Sequence, residues 1–217
     1  MGDPRTYPKP SKFFSGGGTL AFAGSLLVII AFASPYWLES YSNTHSEFVR
    51  LGLWEACFRD YRHPPYQYDE KFNGCHWYYS YKFQNIRDWL QPGWFMFVQA
   101  MMTLAVILLL LSLALISLVL MRYWIKYEVY ILAGISALEL IITGMIFLAV
   151  CVFGGMCFER SWLQYPMFNH LSWSFAFAVM AFILHGSASL CFLKEIFKAK
   201  ERVRRMNTLV YNMQPRF

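Results

Sequence analysis

The chain contains long stretches without a charged residue, and these stretches constrain its fold more than any other feature. Residues 13–38, 89–121 and 161–193 contain no Asp, Glu, Lys or Arg, and residues 129–158 contain only Glu139. Each stretch is longer than the ~20 apolar residues that a helix needs to cross a bilayer. Only 15% of all residues are charged, against about 25% in soluble domains. The sequence therefore predicts an integral membrane protein.

We predict an all-α membrane protein with four transmembrane helices in a single domain. The helices are predicted at residues 15–36, 93–121, 129–157 and 167–193. The segments outside them are residues 1–14, 37–92, 122–128, 158–166 and 194–217. An even number of spans places both termini on the same side of the membrane.

The basic residues are concentrated on one side of the predicted bundle. Residues 1–14 carry three bases and one acid, and residues 194–217 carry seven bases and two acids. Residues 37–92 are nearly balanced, with six bases and seven acids. Because basic segments stay in the cytosol, both termini are predicted to be cytosolic, with residues 37–92 and 158–166 as extracellular loops. The positive net charge is thus a topology signal, and no nucleic-acid partner is predicted.

A second interpretation of the N-terminus stays open. Lys9 and Lys12, the apolar run from Thr19 and the Ala-Phe-Ala at residues 31–33 also fit a cleavable signal peptide. The uncharged stretch is longer than the ~7–15 apolar residues typical of such signals, which favours a retained span.

The first extracellular loop is rich in aromatic and β-branched residues, which favour strands. We predict strands at residues 37–41, 48–58 and 75–83, with turn-forming residues at 63–65 and 73–74. A small antiparallel sheet on the extracellular side follows.

Cys57 and Cys75 both lie in this oxidising compartment, where two thiols most simply form a disulfide. Closing a loop of about 18 residues stabilises the fold by roughly 3 kcal/mol in the chain-entropy model. A metal site with His63 and His76 is the alternative, although it lacks a close Cys-x-x-Cys pair.

A tryptophan, a Gly-Leu-Trp triplet and the two cysteines occur in one loop and in a fixed order. They are Trp37, Gly52, Leu53, Trp54, Cys57 and Cys75. Together with the four spans, the long first loop and the short second loop, they resemble the claudin family and, more loosely, peripheral myelin proteins and calcium-channel γ subunits. Nearly the whole chain takes part in this resemblance, which is greatest to invertebrate claudin-like proteins of septate junctions.

The resemblance implies a left-handed four-helix bundle with a small antiparallel sheet on its outer face, built by both extracellular loops. It also implies structural, non-catalytic roles for the signature residues. Trp37 and Trp54 are expected at the membrane interface, where an indole ring can be buried while its N–H stays hydrogen-bonded. Gly52 is expected to let its strand bend or approach another backbone closely.

Some features depart from the claudin pattern. Claudins commonly have an Arg just before the second span, where this chain has Trp94. The 17 residues between Cys57 and Cys75 are also more than claudins usually have, so pore-lining residues are not carried over. Phe217 is a hydrophobic C-terminus without the Tyr-Val ending that many claudins offer to PDZ domains. Binding of a cytosolic scaffold through that end therefore stays open.

Glu139 is the one formally charged residue inside a predicted span. Placing it in hydrocarbon costs at least about 2.5 kcal/mol, so a partner is expected. His185 lies at a similar depth on the fourth span, and we predict a Glu139–His185 hydrogen bond; a Ser, a Thr or water is the alternative partner. Cys191 lies beside the basic end of that span and is a candidate for palmitoylation.

The resemblance implies a plasma-membrane protein of lateral cell–cell junctions that contributes to a paracellular barrier. Tyr66, Tyr68, Trp77 and Tyr79 are the predicted contact residues, because Tyr and Trp are enriched among the residues that dominate protein interfaces. Expected partners are claudin-like or other junctional membrane proteins in the same or the opposed membrane, and a cytosolic scaffold. The basic tail is predicted to continue the fourth helix and to bind anionic lipids with about 1 kcal/mol per base.

An auxiliary, γ-like subunit of an ion channel or receptor is the alternative function. The nearly balanced charge of the first loop disfavours a charge-selective pore. The sequence lacks a Walker loop and the G-x-S-x-G and H-E-x-x-H motifs, so no catalytic residue, cofactor or resident metal is predicted.

Overall fold

The computed structural model describes residues 11–63, 71–121, 127–163 and 165–213. Its helices are α1 (Lys12–Ala33), α2 (Arg87–Leu90), α3 (Gly93–Leu120), α4 (Glu128–Met156) and α5 (Trp173–Met213). Among the described residues, four helices are long and apolar enough to cross a membrane, namely α1, α3, α4 and the Trp173–Arg205 part of α5. The predicted four-span helical membrane fold is confirmed.

Two loops between these helices form one antiparallel sheet, with five strands in the described part of the chain. The strands are β1 (Leu38–Ser40), β2 (Phe48–Leu51), β3 (Glu55–Tyr61), β4 (Phe72–Trp77) and β5 (Asn169–Leu171). Their order across the sheet is β4-β3-β2-β1-β5, and every neighbouring pair is antiparallel. Because β5 comes from the second loop, both loops build the sheet, as the family resemblance implied.

The strand predictions were wrong at three places. Asn73 and Gly74 were predicted to form a turn, but they lie within β4, which begins at Phe72 and pairs with β3. The predicted strand at 48–58 is two strands, β2 and β3, because residues 52–54 reverse the chain between them. The strand predicted to run to residue 83 ends at Trp77, because the chain turns there and continues as a short 3₁₀ helix.

The ends of two spans also differ from the prediction. The fourth span was predicted from residue 167, but α5 begins at Trp173, because the preceding residues form β5 and pair with β1. The first span was predicted to reach residue 36, but α1 ends at Ala33. Pro35 disfavours a helical conformation of the residue before it, and Ser34 is extended, with ψ of 142°.

An aromatic layer joins the loop after α4 to the adjacent ends of α3 and α4. Trp94 packs edge-to-face on Trp162, with 4.7 Å between ring centroids. Phe95, which is fully buried, lies 5.7 Å from Trp162 and 6.1 Å from Phe153. Such pairs contribute roughly 0.5–1.5 kcal/mol each beyond the burial of their area. The departure from the claudin pattern at Trp94 therefore replaces a base by an aromatic contact.

Polar contacts join three helices at the opposite end of the bundle, which we call the tail end. One Nη2 atom of Arg202 on α5 donates to Glu195 Oε1 at 2.9 Å and to Glu128 Oε1, at the start of α4, at 3.1 Å. The hydroxyl of Ser11, just before α1, donates to the second carboxylate oxygen of Glu195. Glu195 is buried, and this network satisfies its charge. It holds the helical continuation of α5, which extends to Met213, against the bundle.

Candidate interaction surface on the sheet

Gly52 lies where the sheet touches the backbone that leaves α1. A Cβ atom at this position would lie 2.5 Å from both the Pro35 Cα and the Ser34 carbonyl oxygen. Both are backbone atoms, so neither can swing aside as a flexible side chain would. The Gly52 N–H donates to the Glu55 carbonyl at 2.9 Å and closes the turn between β2 and β3. Only glycine fits this close approach of two backbones.

Trp37 connects three elements from a fully buried position. Its backbone N–H donates to the Leu51 carbonyl at 2.9 Å, and its carbonyl accepts from the Ser172 N–H at 3.1 Å. Its indole Nε1–H donates to the Ala31 carbonyl at 2.7 Å, near the end of α1. The ring is buried and its N–H is hydrogen-bonded, as expected, but the partner is a carbonyl near the end of α1 inside the protein. The depth of Trp37 relative to the membrane interface stays a prediction.

Leu53 and Trp54 complete the turn and fix it to the helices. The Leu53 carbonyl accepts a hydrogen bond from Gln99 Nε2 on α3 at 2.6 Å, and the Gln99 Oε1 atom accepts one from Gln91 at 3.2 Å. The Trp54 ring is half-buried and packs edge-to-face on Phe32, with 5.1 Å between centroids. The signature turn is thus anchored to both α1 and α3.

Tyr78 belongs to the same anchor, although the sequence analysis did not single it out. Its buried hydroxyl donates to the Gly52 carbonyl at 2.8 Å, and its backbone N–H donates to the Trp54 carbonyl at 3.1 Å. Burial, with the nearby charge of Glu55 as a smaller cause, raises the pKa of Tyr78 well above its ordinary value. The phenol therefore stays protonated and able to donate. The sequence did contain a signal for this residue. Successive side chains of a strand point to opposite faces, so Tyr78 should face away from its neighbour Trp77.

Cys57 and Cys75 form a disulfide between directly opposed residues of β3 and β4. The bridge fixes the register of the outermost strand pair. Since it consumes both thiols, the alternative metal site with His63 and His76 does not form.

One edge of the sheet exposes three aromatic side chains, Trp77, Tyr79 and Tyr81, which we call the β4 patch. Trp77 is 57% exposed and Tyr81 is 88% exposed. The rings of Trp77 and Tyr79 contact each other edge-to-face at 5.8 Å. The other two predicted contact residues, Tyr66 and Tyr68, lie outside the described residues.

The opposite edge exposes a second apolar group, Tyr165, Met167 and Phe168, which we call the β5 patch. Met167 is 81% exposed, and the rings of Tyr165 and Phe168 stack at 5.8 Å. This patch was not predicted from the sequence, because Met167 and Phe168 were assigned to the fourth span. Their closeness to the charged residues 159 and 160 was a weak signal for a loop.

The chemistry of both patches is that of a contact surface. In the described part of the chain, no group of three or more His, Cys, Asp or Glu residues could hold a metal ion. Exposed rings offer apolar area and stacking geometry. The two edges are therefore the candidate sites of contact with other proteins.

The predicted intramembrane residues lie far from this surface. Glu139 Oε2 and His185 Nδ1 are 2.6 Å apart, and Ser112 Oγ donates to Glu139 Oε1 at 2.6 Å. Cys191 is half-buried, and a Cβ atom on Gly17 of α1 would lie 3.1 Å from its Cβ. Palmitoylation of Cys191 stays a prediction.

Comparison with known proteins places the fold in a family. Residues 22–194 match the family model described as PMP-22/EMP/MP20/Claudin tight junction. No individual curated protein matches the chain. The matched range covers most of the chain, including all five described strands and the larger part of every spanning helix. The chain therefore belongs to the PMP-22/EMP/MP20/claudin family.

Proposed function

We propose that this protein is a component of epithelial cell–cell junctions of the septate or tight type and contributes to the paracellular barrier there. The sheet is the observation that carries the proposal. It is fixed to the helices at Gly52 and Trp37, yet it exposes aromatic groups at both edges. A rigid contact surface lowers the entropic cost of association, because no flexible loop has to be ordered on binding.

The positions of the two patches favour association in rows. The β4 patch and the β5 patch lie at opposite edges of one sheet. When two different surfaces of the same molecule meet, the contact is head-to-tail and each added copy leaves a free surface for the next one. We propose this arrangement within one membrane, with contacts to junctional proteins of the neighbouring cell at the exposed loops.

The charge of the first loop favours a barrier over a selective pore. Six bases and seven acids leave no excess of either sign in residues 37–92. A pore that selects ions by charge needs a field of one sign along its wall. Members of this family are structural membrane proteins and not enzymes, so the proposed role is contact and occlusion.

We propose that the sheet faces the extracellular space of the plasma membrane and that both termini lie in the cytosol. The seven bases of residues 194–217 support this orientation through the positive-inside rule. In this orientation the basic tail lies beside the anionic lipids of the inner leaflet and within reach of a cytosolic scaffold.

Localisation in a polarised epithelial monolayer tests the proposal. We expect the tagged protein to concentrate at lateral cell–cell contacts, and we expect its depletion to increase the leakage of a neutral tracer dye between cells. Restoring the wild-type protein should restore the barrier. A protein spread evenly over the cell surface, co-purifying with a channel or receptor and with no effect on dye leakage, would support the auxiliary-subunit role instead.

A further inference from the structure

Three helices meet at a buried polar cluster within the membrane-spanning part of the bundle. Glu139 on α4 accepts a hydrogen bond from Ser112 on α3 through Oε1, and its Oε2 atom lies 2.6 Å from Nδ1 of His185 on α5. Glu139 is 1% exposed, and Ser112 and His185 are fully buried. At 2.6 Å, a hydrogen must lie between Oε2 and Nδ1, carried by one atom or the other.

The remaining spanning helix, α1, meets the cluster at Gly24. A Cβ atom on Gly24 would lie 2.9 Å from His185 Cδ2 and 3.0 Å from His185 Nε2. The Nε2 atom is buried and has no hydrogen-bond partner among the described residues. The ring therefore points its second nitrogen at bare backbone.

No other formal charge in the central parts of the spanning helices offsets the cluster. Apart from Glu139, the stretches 13–38, 89–121, 129–158 and 161–193 contain no Asp, Glu, Lys or Arg. Within these stretches, the other titratable side chains of the spanning helices are the thiols of Cys151 and Cys191 and the phenol of Tyr130, and the charged ends of α1, α4 and α5 lie outside them. The charge of the cluster is thus set by Glu139 and His185 alone.

Counting protons limits the states that this pair can adopt. A carboxylate beside a neutral imidazole leaves a net negative charge in the bilayer, which is the most costly arrangement. Two protonated groups leave a positive charge and place hydrogens on both sides of the short contact. One shared proton makes the pair neutral, either as an ion pair or as a carboxylic acid beside an imidazole.

Both neutral forms require a hydrogen on Nε2 of His185. In the ion pair, both ring nitrogens carry hydrogens. In the uncharged form, the acid of Glu139 donates to Nδ1, so the single imidazole hydrogen must be on Nε2. The cost is one unpaired N–H facing Gly24, which is smaller than the cost of a buried net charge.

We propose that Ser112, Glu139 and His185 form an intramembrane proton-binding site, which holds one proton shared between Glu139 and His185 in the folded bundle. Ser112 orients the carboxylate, and Gly24 leaves room for the protonated Nε2 edge of the ring.

Nitrogen NMR of the wild-type protein tests the proton position directly. The full chain, labelled with ¹⁵N-histidine, is reconstituted in phosphatidylcholine vesicles. A variant that keeps His185 as its single histidine (His45→Gln, His63→Gln, His76→Gln, His170→Gln) assigns its signals. We expect a hydrogen bonded to Nε2 of His185 in the folded bundle at about neutral pH. A bare Nε2 with a hydrogen on Nδ1 would overturn the proposal, because the site would then carry a negative charge.

The variant Glu139→Gln tests the shared proton independently. Glutamine has nearly the same shape as glutamate but carries no negative charge and takes up no proton. We expect a low-field ¹H resonance from the hydrogen between Glu139 and Nδ1 of His185 in the wild type, because charge-assisted hydrogen bonds are short and strong, and we expect its loss in Glu139→Gln. Absence of this resonance from the wild type, or the same resonance in both proteins, would contradict the proposal, even if Glu139→Gln were less stable.

Discussion

The base of the sheet and its edges both contain Trp and Tyr, but these side chains are buried at the base and exposed at the edges. At the base, Trp37 and Tyr78 are fully buried, and each side chain donates a hydrogen bond to a backbone carbonyl. At the edges, Trp77 and Tyr81 are largely exposed. Trp77 and Tyr78 are neighbours in sequence, yet one faces solvent and the other the core.

This difference separates the residues that mark the family from those that suit contact with other proteins. The residues of the signature turn contact α1, α3 and Tyr78, so a change there should act through folding. The edge patches make few internal contacts, so a change there should act through association. The following predictions test that division.

The largest effect is expected for Gly52→Ala. The new Cβ would lie 2.5 Å from two backbone atoms that cannot move aside as a side chain can, so the cost should lie well above the ~1–3 kcal/mol usual for overpacking. We expect loss of surface delivery, measured by surface biotinylation. Gly93→Ala is the matched control, because a Cβ there meets nothing within 4 Å. Equal delivery of Gly52→Ala and Gly93→Ala would show that the turn tolerates a side chain.

Removing the disulfide should have the next largest effect. Cys57→Ser with Cys75→Ser frees β4 from β3, and loss of a native disulfide typically costs about 2–5 kcal/mol. We expect a lower midpoint of thermal unfolding in detergent for this double variant. Cys151→Ser, which replaces an exposed free cysteine, should leave the midpoint unchanged. If both proteins melted at the same temperature, the bridge would not support the sheet.

Tyr78→Phe should cause a smaller loss. The substitution removes the hydroxyl and leaves the Gly52 carbonyl without this donor, which costs about 1 kcal/mol. Tyr79→Phe, at an exposed neighbour, is the control with no expected effect on the free energy of unfolding. Chemical unfolding in mixed micelles measures the free energy of unfolding of both variants. A larger loss of stability for Tyr79→Phe than for Tyr78→Phe would contradict the placement of Tyr78 at the base and Tyr79 at the edge.

The smallest effect is a pH dependence at His63, whose ring lies 4.5 Å from that of Trp89. Burial lowers the pKa of His63 below the ordinary 6.5. The unfolded chain therefore binds a proton first as the pH falls, and stability present above pH 6.5 is lost below it. As the pH is lowered from about 7 to 5, we expect the melting temperature of the wild type to fall more than that of His63→Phe. Identical slopes would contradict this expectation.

The number of spans and the disulfide could be predicted from the sequence, because they depend on patterns along the chain. Uncharged runs define spans, and the compartment of Cys57 and Cys75 predicts their pairing. The start of α5 could not be predicted, because the three residues of β5 are too few to show an alternation. Whether the Trp37 ring packs on lipid or on protein could not be predicted either, because an indole beside a span looks the same in sequence in both cases.

The candidate site was predictable only in part for the same reason. Trp77 and Tyr79 could be recognised as loop aromatics. The β5 patch depends on where a helix begins, and the Gly52 contact depends on two backbones meeting in three dimensions. Glu139 and His185 could be paired because two polar groups in apolar helices leave few alternatives.

The central claim is that the signature turn builds the sheet and that the edges of the sheet make the contacts. It is tested most directly by the double variant Trp77→Ala with Met167→Ala, expressed in an epithelial monolayer depleted of the wild type. We predict surface biotinylation equal to the wild type, because both residues are exposed and surface changes usually cost less than about 0.5 kcal/mol. We also predict loss of enrichment at cell–cell contacts. Wild-type enrichment and a restored dye barrier in this variant would contradict the account.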